Sequence, residues 1–154
     1  MKNVTLILFS AITIIFMACG GGEKKQSAKE RILANTVKDP YQNWKDYNGV
    51  GPVQAFELPA EIDNSMVTKG QEVFEAKCTA CHKPEKRFIG PAPKDILSRR
   101  NPAWVMNMIL DPEQMVKEDA IAKKLLIDFN GSPMANQNLT EEEARAVLEY
   151  FRTL

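Results

Sequence analysis

The stretch "EAKCTACHKPE", residues 75–85, gathers Cys78 and Cys81, two of the three cysteines, with His82, the only histidine. Few chemistries want two thiols three positions apart with an imidazole directly after. A structural zinc site takes four ligands, as a rule from a second pair at similar spacing. Here the only further Cys or His is Cys19. A thioredoxin-like redox pair needs flanking strands, and these flanks read as helical. A lone disulfide would leave His82 without a task. CxxCH is also the attachment signature of a c-type haem. At a helix end the two thiols share one face and can add to the two vinyl groups of one porphyrin. His82 is then carried beneath the iron as the proximal ligand.

Such a site asks the rest of the chain for a sixth ligand. No second histidine exists to supply it. Setting aside Met1 and Met17, the thioethers on offer are Met66, Met106, Met108, Met115 and Met134. Met106 and Met108 lie in an apolar helical stretch, where core packing is the default. Met66 and Met115 fall near helix ends as fillers. Met134 lies in "FNGSPMANQNLT", whose Gly131, Ser132 and Pro133 release helical constraint and let a thioether project sideways. The residues leave two roles open for it: distal axial ligand, or a pin holding the loop to the core. A His/Met pair raises the reduction potential relative to bis-His ligation and leaves no open position on the iron. The rival is a haem enzyme or gas sensor with an open sixth position, which would want a distal acid/base or donor group.

These groups need helices to hold them, and no strand pattern is evident. Asp63 or Ser65 caps a helix in which Val67, Gly70, Val73, Phe74 and Cys78 follow a 3.6-residue period. Gly70 inside it costs about 1 kcal/mol relative to alanine, which suits a close approach by another helix. "NPAWVMNMIL" starts with Asn101 as cap and Pro102 at the first helical position. Asp111 and Pro112 repeat that signal, and "DAIAKKLLIDF" continues helically. "LTEEEARAVLEYFRTL" opens on a capping box, Thr140 with Glu143, and turns Ala144, Val147, Leu148 and Phe151 to one face. Glu141 to Glu143 complement that helix's dipole.

The N-terminus has another character. An apolar run from Val4 to Ala18 follows Lys2 and is short of the about 20 residues that span a bilayer. It suits a secretory signal. With Cys19 and "GGGEKKQ" after it, the segment resembles a bacterial lipoprotein signal. The resemblance implies cleavage after residue 18 and lipid on Cys19, holding the protein to a membrane. We expect residues 1–18 as signal peptide, 19–38 as a lipid-anchored flexible tether, 39–62 as an irregular arm packed on the domain, and 63–154 as the domain itself. The arm carries Tyr41, Trp44, Tyr47 and Phe56, more aromatics than a free linker spends. Twenty basic residues against 20 acidic, with 44% apolar content, describe a globular domain and offer no argument for nucleic acid.

Residues from about Asp63 to Leu154 resemble a class I monohaem c-type cytochrome. The matching pieces are Gly70 and Phe74, "CTACH", "IGPAP", "GSPMANQNLT", and the acidic-started last helix with Tyr150. The resemblance implies an all-α fold, cytochrome c-like, of four to five helices around one covalent haem c. It implies that the first and last helices cross, with Gly70 and Phe74 against Val147 and Phe151 or Tyr150. It also implies that the Pro91 carbonyl orients the His82 ring. Trp104 would reach a haem propionate through its N–H, and Arg99 or Arg100 would neutralise one. The function implied is one-electron transfer, not enzymatic, on the periplasmic side of a bacterial membrane. A quinol-oxidising complex would be the donor and a terminal oxidase or reductase the acceptor.

Overall fold

The computed structural model describes residues 41–154. The expected signal peptide, the lipidated Cys19, the tether and the first two residues of the arm lie outside the described residues. Among those described, the chain forms five α-helices, two 3₁₀ turns and no strand. The helices are α1 (Asn64–Lys77), α2 (Pro102–Leu110), α3 (Pro112–Glu118), α4 (Ala120–Asp128) and α5 (Glu141–Phe151). The architecture is all-α, as expected.

Each helix starts where a short polar side chain satisfies N–H groups that have no intrahelical partner. Asp63 accepts from the Ser65 and Met66 N–H groups, Asn101 from Ala103, and Asp111 from Gln114. Thr140 and Glu143 form the reciprocal capping box at 3.1 and 2.8 Å. The stretch from Pro112 to Phe129 departs from expectation. Asp119 has an extended backbone that ends α3, and its side chain caps α4 through the Ala122 N–H at 2.8 Å. One helical run thus becomes two, because an aspartate competes better as a cap than as an interior helical residue.

Helices α1 and α5 form the main packed pair. A Cβ on Gly70 would overlap the Ala146 carbonyl, so the two backbones touch there. One turn on, Phe74 meets Tyr150 and Phe151 with ring centroids 5.6 and 5.7 Å apart, the second pair edge-on. The core continues through Ala103, Val105 and Met106 of α2, Met115 of α3, Ile121 and Ala122 of α4, and Ala144, Val147 and Leu148 of α5.

Residues 41–62 are irregular apart from the 3₁₀ turn Trp44–Asp46, and they lie along α2 to α4. Asn107 fastens them from α2, accepting from the Val53 N–H and donating to the Val53 and Asn48 carbonyls, each at 3.0 Å. Gly49, at φ +74°, passes so close to Trp104 and Met115 that only a residue without Cβ fits. At the far end of the arm Arg152 donates to the carbonyls of Pro59, Ala60 and Glu61.

Candidate functional site

The motif sits where α1 stops. The Cys81 and His82 N–H groups both donate to the Cys78 carbonyl, at 3.1 and 2.9 Å, giving one further turn. That turn keeps Cys78, Cys81 and His82 together. Gly90 then donates to the Cys81 carbonyl at 2.8 Å and folds the following loop back under the motif. The return brings the Pro91 carbonyl to 2.8 Å from His82 Nδ1. A carbonyl can only accept, so Nδ1 carries the proton and Nε2 keeps its lone pair for a ligand role. Gly90 makes the arrangement possible, since a Cβ there would overlap Cε1 of the His82 ring.

These residues line one wall of a cleft enclosing about 1120 Å³, part of it open to solvent. Its other walls are apolar: Phe74 from α1, Val105 and Ile109 from α2, Leu125 from α4, and Val147 from α5. Cys78 and Cys81 are not bonded to each other. Burial pushes the Cys78 thiol above its ordinary pKa, which is the wrong direction for a nucleophilic thiolate.

Met134 also lines the cleft. After α4, Asn130 and Gly131 take left-handed backbone, φ 59° and 72°, and the Gly131 N–H returns to the Leu126 carbonyl at 2.8 Å. This terminates the helix and directs the next residues, Ser132 to Met134, along the cleft. Met108 borders it as well, whereas Met106 and Met115 are buried in the core.

Trp104, Arg99 and Arg100, expected around a propionate, each have partners within the protein. Trp104 lines the cleft, but its indole N–H donates to Asp119 at 3.3 Å. Its hydrogen is therefore already committed and not offered to a propionate. Arg99 donates to the carbonyls of Lys94 and Ala92, fastening the loop after Pro91. Arg100 donates to the Arg99 carbonyl and lies over the Trp104 ring, 5.3 Å from its centroid. Neither arginine is among the residues lining the cleft. Carbonyl oxygens nearer in sequence capture both guanidinium groups first. Sequence reasoning also missed Asp119, Asn107 and Glu149, all buried. Asp119 falls in a stretch whose periodicity reads as continuous helix, and nothing local announces that its carboxylate turns inward.

The side chains facing the cleft suit a large, flat, apolar group that bonds to thiols and takes an imidazole and a thioether on a metal. A cytochrome c family model matches residues 67–154. The chain belongs to the cytochrome c family. It is 31% identical over 86 residues to cytochrome c-551 of Ectopseudomonas mendocina, a match covering 55% of this chain and 96% of that one. Among solved structures, cytochrome c from Rhodothermus marinus is 41% identical with a TM-score of 0.64, over 67% of this chain and 88% of that chain. An engineered Rhodothermus marinus cytochrome c bound to a carbene intermediate matches at 40% identity and a TM-score of 0.61, over 67% of this chain and 88% of its own. As a cytochrome c, the chain is an electron carrier with one covalently attached haem c.

Proposed function

We propose that this cytochrome c is a one-electron carrier with His82 and Met134 as axial ligands, Cys78 and Cys81 as the thioether anchors, and Cys19 as its lipid anchor. The observation that carries the reading is the bond from His82 Nδ1 to the Pro91 carbonyl. It fixes the tautomer, aims Nε2, and increases the ring's basicity as a ligand. The haem, when bound, supplies a ferrous–ferric couple. The chain supports that couple by keeping both ligand side chains in place and the cleft walls dry. A rigid, apolar surround leaves little to rearrange when charge changes.

Electrons need a near-surface edge, and Cys81 and Ile89 are both exposed while lining the cleft. Phe88 beside them is 50% exposed. An apolar rim of this size suits the small, transient interfaces of redox pairs. Quinol-oxidising complexes as donors and terminal oxidases or reductases as acceptors fit a carrier confined to the periplasmic face of a membrane.

Two measurements test this. A pyridine haemochrome spectrum of the full chain reports c-type attachment, and replacing Cys78 and Cys81 by alanine should make the haem extractable. The ferric protein should show the far-red iron–thioether band, and Met134→Leu should abolish it. A band that survives in Met134→Leu would reassign the sixth ligand to another methionine. Absence of the band in the wild type would favour the open-position enzyme or sensor. Separately, Cys19→Ser should move the protein from the membrane fraction to the soluble one.

A further inference from the structure

Directly behind the cleft wall sits a carboxylate that the electron-carrier reading does not use. Asp119 is fully buried. It accepts from the Tyr47 hydroxyl at 2.6 Å, the Trp104 Nε1 at 3.3 Å and the Ala122 N–H at 2.8 Å. Every one of these contacts is a donor, the set that suits an acceptor-only, ionised carboxylate. Two of the donors, Trp104 and Ala122, themselves line the cleft, so a single layer of residues separates the charge from whatever the cleft holds. The cation beside it is Arg100, which lies across the Trp104 ring and offsets part of the field.

Resting on the haem reading above, we propose that Asp119 tunes the cofactor's midpoint potential, its buried negative charge favouring the oxidised form. A fixed charge acts strongly here because little water intervenes to screen it. Reduction adds a negative charge to the cleft, and a carboxylate one residue layer away opposes it. Asp119 touches no cofactor in this arrangement; it acts through space as a positioning and tuning residue, held by an arm residue, Tyr47, that lies outside the matched family region.

Asp119→Asn keeps an oxygen for the Ala122 cap and the indole while removing the charge. In the holoprotein, the reduced-to-oxidised ratio at fixed ambient potential should rise roughly threefold to tenfold, the upper limit being about 59 mV for one electron. An unchanged or lower midpoint, with the thioether band intact, overturns the proposal. Loss of that band in the wild type overturns the ligand assignment instead, so the two failures are distinguishable. Should Asp119→Asn fail to fold, Tyr47→Phe gives the opposite sign. It strips one donor from a carboxylate that stays charged, so the ratio should fall, and a rise or no change overturns the proposal. A purely structural Asp119 would lower the melting temperature of both variants and move both potentials in the same direction, which also overturns it.

Discussion

At the scale of single residues, the His82 ring depends on its neighbours for orientation. Gly90→Ala would place a methyl into the ring held by Pro91, and the overpacking should cost about 1–3 kcal/mol. The imidazole would have to tilt, so haem incorporation should fall and the paramagnetically shifted proximal-ring NMR signals should move. A wild-type signal pattern would mean the loop absorbs the methyl elsewhere. Glu149 is the other exacting residue. Its side chain is 1% exposed and pairs with Arg145 at 2.5 Å and Arg152 at 2.6 Å, and it accepts from the Asp63 N–H at 3.0 Å. Burial alone raises its pKa, but the Asp63 N–H and the two arginines outweigh that and hold it below the usual carboxyl range. A depressed folded pKa gives stability that is present above the unfolded value, about 4.3, and is lost as pH falls toward the folded one. Acid titration of stability should therefore show a loss starting near pH 4–5, and Glu149→Gln should flatten it. At neutral pH the same change leaves two arginines short of a partner and should cost about 3–5 kcal/mol.

At the scale of elements, the α1–α5 crossing is set by one missing side chain. Gly70→Ala would gain about 1 kcal/mol of helix propensity. The new methyl, however, meets the backbone of Ala146, not a flexible side-chain end, and a backbone in a packed pair has little room to give. The clash should win, with a net loss of about 1–3 kcal/mol seen as a lower denaturant midpoint at unchanged slope. Thr140→Ala removes half of the capping box at the start of α5 and should cost about 1 kcal/mol. Gly70 and the capping box were legible in the sequence because each is a local signal with a fixed offset. The split between α3 and α4 was not, since the residues around Asp119 satisfy helical periodicity on both sides. Its inward-facing carboxylate, with donors from Tyr47 and Trp104, settles the matter in three dimensions.

At the scale of the whole molecule, the cleft and the arm are what remain to be filled and held. The apolar walls of the cleft leave a protein without its cofactor short of contacts that a packed core would supply. The Cys78→Ala/Cys81→Ala double variant, stripped of haem, should lose more of its melting temperature than any single substitution above. Circular dichroism melts with and without haem check this. The arm acts as a strap. Starting the chain at residue 63 would take away Val53, Tyr47 and Asn48, and with them the hydrogen bonds and packing that the arm gives Asn107 and Asp119. Each such hydrogen bond contributes about 0.5–1.5 kcal/mol, so the shortened holoprotein should unfold at clearly lower denaturant than the chain starting at residue 41.

The sequence alone determined the chemistry of attachment, the all-α class and four of the five helix starts. Each of these is encoded within a few consecutive residues: CxxCH, a 3.6-residue period, a cap followed by proline or glutamate. Scarcity also narrowed the ligand question, because one histidine and a handful of methionines leave few combinations. Tertiary structure decided which donors were still free. Trp104, Arg99 and Arg100 looked available for a propionate until folding gave them Asp119 and three backbone carbonyls. Tertiary structure also placed Pro91 against His82, and Tyr47, Trp104 and Asp119 together. Those meetings depend on how a loop returns and how an arm lies across three helices. No local pattern carries that, because hydrogen-bonding groups pair with whatever the packed chain brings within reach.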